Sequence, residues 1–159
     1  MASAPIDRGL CVAVHGSAEE AGDAGPETIL RALLDRFAAA FEDGDVTALA
    51  ALLREDVTLE MPPIATWFAG RETVLGYLAA SHGRTAGRVR LVPSAANGEP
   101  AFAAYLREAD GTDRAHAVIV LAVAGALVTR IVIFLEPALF RLFGLDRELP
   151  PARSARLPR

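Results

Sequence analysis

The second half of the chain carries the strongest constraint on its fold. Four strand-like segments follow one another there: Arg88–Ala96, Ala101–Glu108, Arg114–Val123 and Leu127–Leu135. Asn97-Gly98, Asp110-Gly111 and Gly125 separate them. Asn-Gly and Asp-Gly pairs supply the positive backbone angles that two-residue hairpins require. Four consecutive strands joined by tight turns make an antiparallel meander, and such a sheet must bury at least one face.

The cover for that face lies upstream. Gly25-Pro26-Glu27 starts a helix, with Pro at the first helical position and an acid beside the positive end of the dipole. Ile29, Leu30, Leu33, Leu34, Phe37 and Phe41 then form an apolar helical stripe. Gly44 ends that helix and Asp45 caps the next, whose buried face is Val46, Leu49, Leu52 and Leu53. Val57–Met61 alternates as a strand that Pro62-Pro63 stops, and a loop runs on to Gly70. Arg71–Ala80 reads as a third helix with Val74, Leu75 and Leu78 on one side. Leu139, Phe140, Leu142 and Phe143 form a short terminal helix that closes the core. The order predicts an α+β fold: a curved antiparallel sheet wrapped around the long N-terminal helix as a cone. Its open end is a natural small-molecule pocket. The expected organisation is an N-terminal extension over 1–25, one domain over 26–146 and a basic tail over 147–159. Arg8–Val14 is a candidate edge strand.

Composition narrows the chemistry. The 159 residues include no Lys, so Schiff-base catalysis is excluded. A single Cys near the N-terminus excludes a disulfide framework and a Cys-based zinc site. His15 and His82 fall in expected loops, away from His116, so three scattered His predict no metal site. Residues 1–60 hold 12 acids and 4 Arg, and residues 61–159 hold 8 acids and 12 Arg. That distribution predicts no nucleic-acid role for the body of the domain, and the basic tail reads as a solvated terminus. No apolar run approaches the ~18 residues of a membrane span. The five-residue stretch Leu10–Val14 is too short for a signal peptide. The expectation is therefore a cytoplasmic protein with no membrane contact. Phosphate-loop, dinucleotide and serine-hydrolase motifs are missing, so no cofactor is expected.

Several residue patterns resemble the SnoaL-like branch of the nuclear transport factor 2-like superfamily. They are the stretch Asp56–Pro63, the stretch Met61–Arg71 with Trp67-Phe68, Arg114-Ala115-His116-Ala117, and Phe134–Phe140. The last three are most similar to the SnoaL-like domain at the C-terminus of some extracytoplasmic-function sigma factors. The resemblance runs from about Ile29 to Leu145. It implies a cone-shaped α+β barrel, usually dimeric, that holds a hydrophobic ligand. It does not by itself set the activity. In ketosteroid isomerases of this superfamily, the resemblance places the base at Met61, the oxyanion Tyr at Phe37 and the protonated Asp near Ile119. All three positions are apolar here, which excludes isomerase chemistry of that type.

The remaining candidates are weighed from their positions. His116 titrates near neutral pH and is the first choice for general acid or base, with a hydrogen-bonded sheet histidine as the alternative. Period two puts it on one face with Arg114, Val118 and Val120. Glu60 becomes a usable acid if a bulge before Pro62 turns it inward, and is otherwise an exposed or Arg-paired carboxylate. Arg130 suits a ligand carboxylate or an enolate-like oxygen, or a structural salt bridge. Candidate ligand contacts are Trp67 near the cone mouth, Met61, Phe37, Tyr105, Ile119, Phe134 and Glu136. Glu136 precedes Pro137 and doubles as a cap for the terminal helix. These readings converge on a cofactor-independent enzyme, a cyclase, isomerase or hydrolase, acting on a hydrophobic polyketide-like metabolite as a homodimer. The alternative is a non-catalytic ligand-binding, regulatory or dimerisation module.

Overall fold

The structure, a computed structural model, describes residues 25–151. The expected N-terminal extension, with its Arg8–Val14 strand, and the last eight residues of the basic tail lie outside the described residues. The chain forms α1 (Pro26–Asp43), α2 (Val46–Ala50), β1 (Leu53–Glu60), β2 (Trp67–Ala69), α3 (Arg71–His82), β3 (Val89–Ala96), β4 (Glu99–Arg107), β5 (Asp113–Ala124), β6 (Leu127–Phe134), α4 (Leu139–Leu142) and β7 (Glu148–Leu149). One curved, unclosed sheet runs β2-β1-β6-β5-β4-β3, and β7 pairs with β5.

Local chemistry sets most boundaries. Gly44 ends α1 in the left-handed region (φ 67°), and its N–H donates back into the last turn. The Asp45 carboxylate accepts from the Ala48 N–H at 3.0 Å and caps α2. Asn97 and Gly98 both have positive φ (51° and 80°), as a type I′ hairpin turn requires.

Five departures from the sequence expectations matter. The second helix stops at Ala50, and Leu53 already begins β1. The apolar pattern of Leu52-Leu53 fits either element, and pairing of Leu53 with Val128 decides it. β1 and β6 run parallel, because the first strand enters the meander from the helical half of the chain. The expected loop before Gly70 contains β2, antiparallel to β1. α3 continues two residues past Ala80, through His82. The ordered fold also runs into the segment expected as tail, where Leu149 and Glu148 pair with Asp113 and Arg114.

The sheet is buried on both sides. Its inner face packs Leu59, Ile119, Leu121, Ile131 and Phe102 against Leu33, Phe37 and Phe41 of α1 and Val74 and Leu78 of α3. Its outer face packs Tyr105, Val118, Val120 and Val132 against Phe140 of α4. The Tyr105 hydroxyl donates to the Asp146 carbonyl at 2.7 Å, and its ring meets Phe140 edge-on at 5.2 Å. Asp113, fully buried at the same side, receives Arg107 at 3.1 Å and Arg90 at 3.3 Å. Three strands are thereby tied through one carboxylate.

Phe37 sits at the centre of the inner core. It is fully buried and stacks on Phe41 (5.7 Å) and Phe102 (6.0 Å). Phe37→Ala is expected to destabilise the fold by about 3–5 kcal/mol. The check is a lower urea midpoint at an unchanged slope.

Candidate functional site

A cavity of about 270 Å³ opens between the C-terminal half of α3 and the inner face of the meander. Side-chain size explains it. Along β4 and β5 the inner-face pair Phe102–Ile119 is filled by Phe37, but the next inner pair is Ala104–Ala117. Two methyl groups there leave the space that larger side chains occupy one step earlier. Met61, Ile119 and Ile133 complete an apolar floor. The roof comes from Phe41 of α1, from Tyr77, Leu78, Ser81 and His82 of α3, and from Arg84 and Thr85 just beyond.

His116 enters this cavity through a break in the strand alternation. Ala104 pairs with Ala117 while Tyr105 pairs with Ala115, so β5 has one residue more than β4 at this point. The extra residue is His116. A bulge of this kind re-aims a side chain. Here it puts His116 on the cavity side together with its neighbour Ala117, while Ala115, Val118 and Val120 belong to the outer core. The period-two expectation that grouped His116 with Val118 and Val120 is therefore corrected by the bulge. Burial pushes the His116 imidazole below its ordinary value, which keeps it neutral at neutral pH.

A second imidazole lines the same cavity. His82 retains only 5% of its surface. Its ring meets Phe41 edge-on, with centroids 4.5 Å apart at 84°. Its Nδ1 is buried without a hydrogen-bond partner, a deficit worth about 1–3 kcal/mol. Burial lowers its pKa as well. The expected loop position of His82 is corrected by α3. Val74, Leu78 and His82 are spaced by four, so His82 continues the helix's buried stripe. That periodicity was present in the sequence, hidden because Ser, His and Gly suggest an ending.

The other candidate residues are dispersed. Met61 and Ile119 line the cavity. Phe37 belongs to the core beneath it. Glu60 lies beside Trp67 in a separate surface groove that shares Met61 with the cavity. β1 is regular from Thr58 to Glu60, so no bulge turns Glu60 inward. Trp67 is 66% exposed. Arg130 lies on the outer side with Val132 and Phe134, 3.6 Å from Glu99, in the salt bridge weighed as its alternative. Phe134 packs on the outer core, and Tyr105 is committed to Asp146. Glu136 accepts from the Ala138 N–H at 3.2 Å at the entry to α4. The expected grouping of His116, Glu60 and Arg130 is thus not assembled: strand alternation sends the two charged partners away from the cavity. Among the described residues, no three His, Cys, Asp or Glu side chains are grouped to hold a metal. No helix among them is long and apolar enough to cross a membrane.

Comparison with known proteins agrees with this geometry. The SnoaL-like domain family matches residues 34–131. The chain belongs to the SnoaL-like family. The ECF RNA polymerase sigma factor SigG of Mycobacterium tuberculosis is 35% identical over 118 residues, 74% of this chain. The matched segment is 32% of that protein, so the SnoaL-like chain spans about a third of its curated relative. A nuclear transport factor 2-like protein of unknown function from Burkholderia xenovorans superposes with a TM-score of 0.59 at 17% identity, covering 86% of this chain and 98% of that one. A protein described as a ketosteroid isomerase, from Kribbella flavida, gives 0.53 at 24% identity, covering 82% and 89%. These likenesses establish the SnoaL-like, nuclear transport factor 2-like fold.

The two lowered imidazoles make a prediction. A histidine buried as the neutral base binds protons more weakly in the folded chain than in the unfolded one. Between the unfolded value near 6.5 and the lower folded value, the unfolded chain holds more protons. Their contribution to stability is complete above about pH 6.5 and is lost as pH falls from there. The urea midpoint is expected to be lower at pH 5 than at pH 7.5, with a flatter dependence in His82→Leu. Asp56, held low by the Arg54 hydrogen bond, and Asp110, held low by the Thr112 N–H, act in a more acidic window.

Proposed function

We propose that this SnoaL-like domain is a non-catalytic binding module for a small, largely apolar molecule, read out by a partner domain or protein. The observation that carries this reading is the composition of the cavity wall. An apolar floor, two neutral imidazoles, Tyr77 and Arg84 line it, and no carboxylate does among the described residues. Paired general acid–base chemistry works best with groups whose environments push their pKa values apart, and here burial shifts both imidazoles in the same direction. Glu60 and Arg130, which would supply a second role, lie outside. A volume of about 270 Å³ is just below the ~300 Å³ at which ordinary ligand sites begin, which favours a small ligand. The similarity to a sigma factor supports a regulatory setting.

Ligand linkage tests this. An alcohol such as 1-octanol at ten times its Kd should stabilise the domain by about 1.4 kcal/mol and raise Tm by several degrees. Ala117→Leu, which fills the floor, should abolish that rise while leaving the fold intact. A Tm indifferent to every apolar probe overturns the reading.

One observation favours a second reading, an enzyme working by proton transfer. The bulge delivers His116 into the cavity as a neutral base, a form able to accept a proton. With a competent substrate, such as a flexible polyketide-like chain, His116→Ala should then slow turnover at least tenfold. Unchanged turnover removes His116 from any proton-transfer role.

A further inference from the structure

The cavity's ionisable wall has one chemical sense. His82, His116 and Arg84 are basic, and among the described residues Tyr77 is the only other ionisable side chain that lines it. Arg84 is exposed and, among the described residues, has no carboxylate within 4.0 Å; Arg31, Arg36, Arg88, Arg141 and Arg147 likewise have none, but none of those five lines the cavity. His82 is 95% buried with its Nδ1 unpartnered. The wall thus holds a guanidinium at the rim and the His82 imidazole inside, both on the roof formed by α3 and the turn after it, with His116 of β5 lining the same cavity. The opposite side, Met61, Ala104, Ala117 and Ile133, has no group able to pair with either.

We propose that the ligand is a weak acid: a small apolar body ending in one carboxylic group. The acid faces His82, His116 and Arg84, and the body lies on the alanine floor. This inference rests on the binding reading above and names the chemical class that site takes. The match is specific to an acid for a reason of hydrogen-bond inventory. A neutral imidazole offers one N–H donor and one acceptor nitrogen. A carboxyl group can serve either, donating when protonated and accepting when ionised. The ionised form also gains the uncompensated guanidinium at the rim, and charge-assisted bonds are about twice as strong as neutral ones. An alcohol satisfies an imidazole but leaves Arg84 unused. An amine brings a like charge towards Arg84 with no carboxylate in the wall to receive it.

The test uses the full chain at pH 7 with three probes that share one alkyl body: octanoate, 1-octanol and octylamine. Isothermal titration is expected to show octanoate binding at least tenfold tighter than 1-octanol, with octylamine weakest. The preference for octanoate over 1-octanol should shrink severalfold in Arg84→Gln, an exposed position that leaves folding intact, or in His82→Leu. Ala117→Leu should remove binding of both, which places them in the cavity. Equal affinity for octanoate and 1-octanol overturns the acid inference and leaves the apolar-cavity reading standing. So does a preference for octylamine, or an octanoate preference that survives both the Arg84→Gln and His82→Leu variants. Failure of all three probes to bind overturns the binding reading itself, and the acid inference with it.

Discussion

A β-strand sends successive side chains to opposite faces, and a two-sided core leaves no freedom in that rule. In this fold the pairing of β4 with β5 is where the rule is both used and broken. Regular alternation from Ala117 to Leu121 keeps Ala117, Ile119 and Leu121 inside and Val118 and Val120 outside. One extra residue in β5 then resets its count, so that Ala115 stays in the outer core opposite Tyr105, which the regular alternation of β4 already puts there. The reset leaves His116 on the inner side beside Ala117. The outward place of Ala115 and the imidazole in the cavity both depend on that single insertion.

The bulge also separates structural polarity from the polarity available to a ligand. Outer and edge polar groups are mostly spent. Asp113 holds Arg90 and Arg107, Arg114 pairs with Glu148 at 2.5 Å, and Arg130 approaches Glu99. Inside, His82 and His116 are held neutral by desolvation. Groups that have found partners fix the frame, and groups that have not are gathered under α3. Arg130 is one of the paired groups, whereas Glu60 is kept out of the cavity by strand alternation alone.

The sequence made the scaffold legible because its signals were local. Pro26, Gly44, Asp45 and the Asn97-Gly98 turn each act through their own backbone, and each marks an observed boundary. The α+β cone rests on these and on the meander, the family resemblance on the motifs around Met61–Arg71, His116 and Phe134–Phe140, and both are established. The site was less legible because its determinants are relational. Nothing in Ala115-His116-Ala117 announces a bulge, which exists only by comparison with the register of β4. The emptiness above Ala104 and Ala117 needs both strands and a helix to define it. His82 was the exception: its spacing from Val74 and Leu78 was readable, but its apparent role as a helix ending hid it.

The alanine pair carries a consequence for how such a domain diversifies. Ala104 and Ala117 meet across the ladder through their main chains, and their methyl groups are the smallest side chains on the inner face there. The size of the chamber is therefore decoupled from the hydrogen bonding that makes the fold. Enlarging either methyl would shrink the chamber while leaving the ladder between the two strands, and the imidazoles that line the chamber, in place. A scaffold built this way can change the dimensions of its chamber without relearning how to fold.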